Sequence, residues 1–176
     1  MLLESEELVV SGKPRLRIPL REVRSVAAAD GRLSVAWSGG EASFDLGEPR
    51  ASRWADRIRN PRTLADKLGL KDELRVGVEG VDHELLAAYG PPEPAADLLF
   101  LGVESRADLR RVDGLAQLLV PDGGLWIVAP KGRSDPSQND VLAAGRAAGL
   151  KDVKVAKFSE THTALKFVIP RERRGA

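Results

Sequence analysis

Two apolar runs constrain this chain more than anything else in it: "ADLLFLGV" at 96–103 and "GGLWIVAPKG" at 123–132. A strand with one wet face alternates polar and apolar residues, and these do not. Strands that read as continuous Leu, Val, Ile and Phe have both faces covered, the condition of a parallel sheet flanked by crossover segments. The residues between them supply such a crossover. "SRADLRRVDGLAQLLV" opens with Ser105 and Asp108 in a capping-box arrangement and puts Leu109, Val112, Leu115, Ala116 and Leu119 on one helical stripe. A Pro-Asp-Gly-Gly turn then leads into the second run.

The same alternation of periods extends in both directions from Arg62 onward. "TLADKLGL" predicts a short helix stopping at Gly69, "ELRVGVE" a strand and "HELLAAYG" a helix. After the second apolar run, "PSQNDVLAAGRAAG" predicts a helix that starts at Pro136-Ser137 and stops at Gly149. "KDVKVAKFS" and "TALKFVIP" close the chain as an antiparallel hairpin. Residues 61–176 therefore read as a Rossmann-like α/β domain with a mainly parallel sheet.

Residues 1–60 follow a different rule. "EELVV", "PRLRIPL", "VRSVAAAD", "RLSVAWSG" and "EASFDLG" are short alternating segments separated by Ser11-Gly12, Asp30-Gly31 and Gly39-Gly40, so an antiparallel meander is expected. Alternation puts Leu16, Ile18 and Leu20 on one side, with Leu33, Val35, Trp37, Phe44 and Leu46 continuing the buried face. "EPRASRWADRIRN" switches to helical spacing, and Ala51, Trp54, Ala55 and Ile58 form the stripe that closes the module, with Trp54 as a core residue. Lys13, Arg15, Arg17, Arg21 and Arg24 then fall on the solvent face.

Composition narrows the partners. With 27 basic and 26 acidic residues the chain has no global field to gather phosphate backbones, so nucleic acid is not expected. The tail "RERRGA" reads as solvated. The absence of cysteine removes thiolate chemistry and Cys-type zinc sites. No run approaches the eighteen or so apolar residues of a membrane span. The acidic start "MLLESEELVV" does not read as a signal peptide, so the expected location is cytoplasmic.

A strand like "DLLFLGV", an amphipathic helix, "VPDGGLWIVAPK", another helix and a terminal hairpin resemble the second half of a class I S-adenosylmethionine-dependent methyltransferase. "LADKLGLKDELRVGV", "ADLLFLGVESRADL", "GGLWIVAPKG" and "TALKFV" resemble a family of small bacterial proteins known as a domain of unknown function, a likeness over Leu64 to Val168 that implies no activity. Residues 1–60 resemble a truncated pleckstrin-homology or GRAM-like module. The methyltransferase resemblance implies a Gly-rich loop after the first strand and an acidic residue ending the second, to cradle the cofactor and hold its ribose. This chain offers "VGVEGVDHELL", in which Gly77 belongs to the strand and Gly80 alone follows it. About twenty residues separate Val78 from Leu98, room for one crossover and no second or third strand. The expected fold is thus a truncated methyltransferase-like sheet, with no cofactor.

In an open α/β sheet, ligands lie beyond the carboxyl ends of the parallel strands. "VESR", "PKGRSDPSQ" and the hairpin turn "SETHT" should emerge there, gathering Glu104, Ser105, Arg106, Lys131, Arg133, Ser134, Asp135, Glu160, Thr161, His162 and Thr163. Of these, Glu104, Arg106, Lys131, Ser134, Asp135, Glu160, Thr161 and His162 are the candidate ligand contacts. His162 beside Glu160 or Asp135 has the elements of acid–base work, but a histidine in a polar turn is ordinarily just exposed. His83 and His162 lack the close spacing of metal ligands, and no Ser-His-Asp order is visible. No catalytic or metal residue is therefore assigned.

These observations favour a non-enzymatic protein that binds a small ligand or another protein. A divergent S-adenosylmethionine-dependent methyltransferase is the alternative. An anionic-lipid or phosphopeptide binder using Arg15, Arg17 and Arg24 is the third reading. The sequence leaves oligomeric state open.

Overall fold

Alternation governs the first unit. The computed structural model describes residues 1–4, 6–12 and 14–175 and divides the chain into Met1–Asp66 and Lys67–Ala176. In the first unit, β1 (Leu2–Leu3), β2 (Glu7–Val10) and β3 (Leu16–Pro19) pair antiparallel in that order. A second antiparallel sheet follows, with β4 (Val23–Ala29), β5 (Arg32–Trp37) and β6 (Gly40–Asp45). The expected single meander is therefore two, broken by the 3-10 turn Leu20–Glu22 directly after Pro19, which has no N–H to extend a ladder. The β4–β5 hairpin turns on Asp30 and Gly31, both at positive φ (51° and 74°), as a two-residue turn of this hand requires.

Helix α1 (Arg50–Arg59) closes the unit. Its buried residues Ala51, Trp54, Ala55 and Ile58 pack with Ile18, Leu33 and Val35, from the stripes that alternation predicts, and with Leu8 of β2, whose face the sequence leaves unassigned. Trp54 is 7% exposed and belongs to this core, with the Arg57 guanidinium 4.6 Å from its ring centroid. Arg15, Arg17, Arg21 and Arg24 are exposed, and Arg17 pairs with Glu7 at 3.0 Å; Lys13 lies outside the described residues.

Helix α2 (Leu64–Leu68) starts where Thr63 and Asp66 bond reciprocally and ends at Gly69, whose φ of 75° suits a helix stop. Beyond it lie β7 (Val76–Glu79), β8 (Ala96–Gly102), α3 (Val112–Ala116), β9 (Leu119–Pro130), α4 (Gln138–Ala147), β10 (Lys151–Lys157) and β11 (His162–Val168). They form one five-stranded sheet of order β10-β11-β9-β8-β7, in which β7, β8 and β9 are parallel and β11 is antiparallel to both its neighbours. The α/β class, the parallel centre and the terminal hairpin are as the sequence predicts.

Register explains the unbroken apolar runs. One row across the sheet reads Glu79, Leu101, Ile127, Leu165, Val155, and the core on that face adds Leu99, Leu125, Phe167, Val112, Leu115 and Val141. The next row, on the opposite face, reads Val78, Phe100, Trp126, Lys166, Lys154. Fully buried Trp126 donates its indole N–H to the Leu68 carbonyl at 2.9 Å on this second face.

Three expectations change in the second unit. "HELLAAYG" forms only a 3-10 turn, Glu84–Leu86, because Pro91, Pro92 and Pro94 follow and the chain at Gly90 is used to bond the outward N–H of Val78 (2.9 Å). The 105–120 helix shrinks to a 3-10 turn, Arg106–Arg111, and α3, while Leu119 already pairs with Ala96. The Pro-Asp-Gly-Gly turn is absorbed into β9 as a bulge, five steps on β9 from Leu119 to Gly124 facing two on β8. The tail is solvated as expected, with Arg171, Glu172 and Arg173 exposed, and it also bonds back to the unit: Arg173 to the Gly149 carbonyl (2.9 Å), and Arg174 to the Ile169 carbonyl and Asp122 (both 2.8 Å). No described helix is long and apolar enough to cross a membrane.

Candidate functional site

Parallel strands β7, β8 and β9 deliver their carboxyl ends to one edge, and β10, parallel to β9, delivers the hairpin turn 158–161 to the same edge. The segments after these strands enclose a cavity of about 280 Å³. Its floor is apolar, from Val128 and Phe158, and its polar walls carry Asp82, His83, Glu104, Ser159, Thr161 and His162.

His162 organises one wall. Its Nδ1 lies 2.8 Å from Thr161 Oγ1 and its Nε2 3.2 Å from Glu104 Oε1. An ionised carboxylate only accepts, so Nε2 is the donor to Glu104, while Nδ1 shares a hydrogen bond with the threonine hydroxyl. Glu104 also meets Arg133 at 3.4 Å. Ser159 Oγ accepts the Thr161 and His162 backbone N–H groups at 3.2 and 3.0 Å and folds the turn. On the other wall His83 stands edge-on to Phe158, ring centroids 4.9 Å apart, and its Nδ1 accepts from the Leu85 N–H at 3.1 Å.

The eight sequence candidates divide into four groups. Glu104, Thr161 and His162 line this cavity. Lys131 lines a second cavity of about 270 Å³ with Arg133, Gln138 and Thr163, but its ammonium is spent on the carbonyls of Ser159 (2.7 Å) and Glu160 (3.2 Å), holding the hairpin turn to β9. Asp135 accepts the Arg106 N–H at 3.0 Å, while the Arg106 guanidinium reaches Asp140 at 3.1 Å, so this pair braces the start of α4; Ser134 is exposed nearby. Glu160 turns away to Lys157 at 2.7 Å, and this contact, with the charge of Lys157, lowers its pKa. The carboxylate beside His162 is thus Glu104, from the loop after β8, and not Glu160 or Asp135.

Caps position these loops. Asp108 accepts from the backbone of Glu104 and Ser105 at 2.9 and 3.0 Å, which holds its pKa below the usual carboxylate range and fixes the turn presenting Glu104. Asp140 takes the Ser137 hydroxyl and N–H at 2.7 and 2.8 Å, with the same lowering, and completes the capping box of α4. Sequence reasoning left Asp82, His83 and Ser159 outside the candidate set. The signal was present, since "VDH" follows β7 and the edge that β7 serves is the one the other loops share.

The cofactor cradle implied by the methyltransferase resemblance does not fit here. Gly80 is at φ 69° and its carbonyl oxygen lies 1.8 Å from where a Cβ on Gly102 would go, so the exit of β7 crosses directly over the end of β8, backbone on backbone. A second strand carrying a ribose acceptor would pair with the outward edge of β7, and that edge is taken at Val78 by Gly90. Among the described residues no group of three or more His, Asp or Glu side chains could hold a metal ion.

No family model matches the chain, and no curated protein matches it. Among solved structures it is similar to a SAM-dependent O-methyltransferase from Thermotoga maritima, at a TM-score of 0.45 and 11% identity over 97% of this chain and 95% of that one. It is also similar to mitomycin 7-O-methyltransferase, at a TM-score of 0.39 and 12% identity over 70% of this chain, spanning 58% of that protein's length.

Proposed function

We propose that this chain is a small-ligand-binding protein without chemistry of its own, built on a degenerate methyltransferase-like domain and binding in the cavity at the carboxyl edge of its sheet. The observation that carries the reading is the cavity of about 280 Å³, near the lower size of small-molecule sites, with an apolar floor and converging polar walls. Its ligand has an apolar face for Val128 and Phe158 and hydrogen-bond donors for Asp82 and Glu104. Both nitrogens of His162 are already held by protein partners, which suits a fixed recognition wall. Glu104, Thr161 and His162 are the proposed contacts from the sequence set, joined by Asp82, His83 and Ser159.

Amide chemical shifts test this. Small metabolites with an apolar face and several donors should move the signals of 80–83, 104 and 159–162; Glu104→Gln should weaken that binding at least about tenfold, the loss of one charged hydrogen-bond partner, and His162→Ala should weaken it less, by releasing Glu104 from its neighbour. Hits that map elsewhere would remove the site. Micromolar affinity for S-adenosylmethionine, weakened by charge reversal at Lys131 or Glu160, would instead favour the divergent methyltransferase.

A further inference from the structure

The row Val78, Phe100, Trp126, Lys166, Lys154 is apolar on three strands and ends on two lysines directly opposite one another on β11 and β10. Like charges in that relation repel. Both ammonium groups stand over the face of buried Trp126, Lys166 Nζ at 5.8 Å and Lys154 Nζ at 6.0 Å from the ring centroid. They differ in what else they hold. Lys154 donates to the Lys67 carbonyl in α2 at 2.6 Å, so its position is fixed. Lys166 is partly buried and has no hydrogen-bond acceptor or carboxylate partner among the described residues. Burial first, and the charge of Lys154 second, pull its pKa below the ordinary lysine value. More of this amine is therefore neutral at a given pH, and only the neutral amine is a nucleophile.

We propose that Lys166 is an acyl-acceptor site, modified by acyl phosphates ahead of the exposed lysines of the chain. The neutral Nζ attacks the acyl carbon, the N–C bond forms and the C–O bond to phosphate breaks. Phosphate leaves with the electron pair of that bond, and the proton lost by nitrogen goes to water. The class of donor follows from the neighbour: the fixed charge of Lys154 attracts an anionic phosphate where the leaving group must depart. The product is a neutral amide over Trp126, which ends the opposition of two charges.

The full chain is incubated with acetyl phosphate at mildly alkaline pH and the acetyl occupancy of each lysine is followed by peptide mass spectrometry. Lys166 is expected to acetylate several-fold faster than exposed Lys71 and Lys151, and Lys154→Gln, checked for an unchanged thermal melt, to slow Lys166 several-fold. A Lys166 rate at or below that of Lys71 in the wild-type chain overturns the proposal without reference to any variant. So does a Lys154→Gln chain in which Lys166 reacts as fast as before.

Discussion

Two crossovers of the second unit solve the same problem with different material. From β9 to β10 the chain returns through α4, which is capped by Ser137 and Asp140 and packs so closely on the sheet that a Cβ on Gly145 would lie 2.2 Å from the Phe167 ring. From β7 to β8 it returns with no α-helix, and residues around Pro92 press on β7 so that a Cβ on Gly77 would lie 2.6 Å from the Pro92 Cα. In each case a glycine admits the approach, on the helix in the first crossover and on the strand in the second. The difference lies in what can yield: a ring can rotate or shift, whereas proline backbone cannot. A loop can therefore cover a strand as tightly as a helix when its own backbone is the covering surface.

Gly77→Ala should have the largest effect, about 3 kcal/mol, because overpacking against backbone has no cheap relief. Urea unfolding measures it, and a loss under about 1 kcal/mol would mean that the 80–95 loop moves freely away from β7. Gly145→Ala should cost less, about 2 kcal/mol, and Phe167→Leu in the same chain should recover part of it, since the offending atoms are the Phe167 ring. Full additivity of the two changes would break the assigned contact. Ser137→Ala removes the α4 cap and should cost about 1 kcal/mol, read as lowered stability with faster amide exchange confined to α4.

Acid separates the crossovers most gently. Asp140, held below the usual carboxylate range by the Ser137 side chain and backbone, stabilises the folded chain fully above its unfolded value of 3.8 and loses that contribution as pH falls through its lower folded value. Asp108 behaves likewise through the backbone of Glu104 and Ser105. Protection of α4 amides should decline below about pH 4 while the Val78 N–H, bonded to Gly90, is unaffected by these two groups. Parallel loss at both places would show that the crossovers open as one unit.

Much of this architecture was legible in the chain because periodicity is local. The buried stripes of α1, β3 and β5, the cap at Ser137 and the stop at Gly149 each follow from a few neighbouring residues. "HELLAAYG" misled because its local pattern is helical, whereas its conformation is decided by three downstream prolines and by an open strand edge that needs an acceptor. The candidate site was legible as an edge and not as a set of partners. Strand direction determines which loops share that edge, but Glu104 rather than Glu160 meets His162 because Glu160 is taken by Lys157 three residues earlier, on the departing end of β10.

The amino-acid sequence alone determined the class, the strands of the sheet, the closing helix of the first unit and the shortness of the first crossover, since apolar spacing and chain length admit few alternatives. Tertiary structure alone decided that Gly80 lies across Gly102, that β9 carries a bulge where a turn was expected, and that Lys166 and Lys154 share one tryptophan face. These depend on register between strands far apart in the chain. A one-residue shift moves every side chain to the opposite face, so packing of the whole sheet sets what no local pattern encodes.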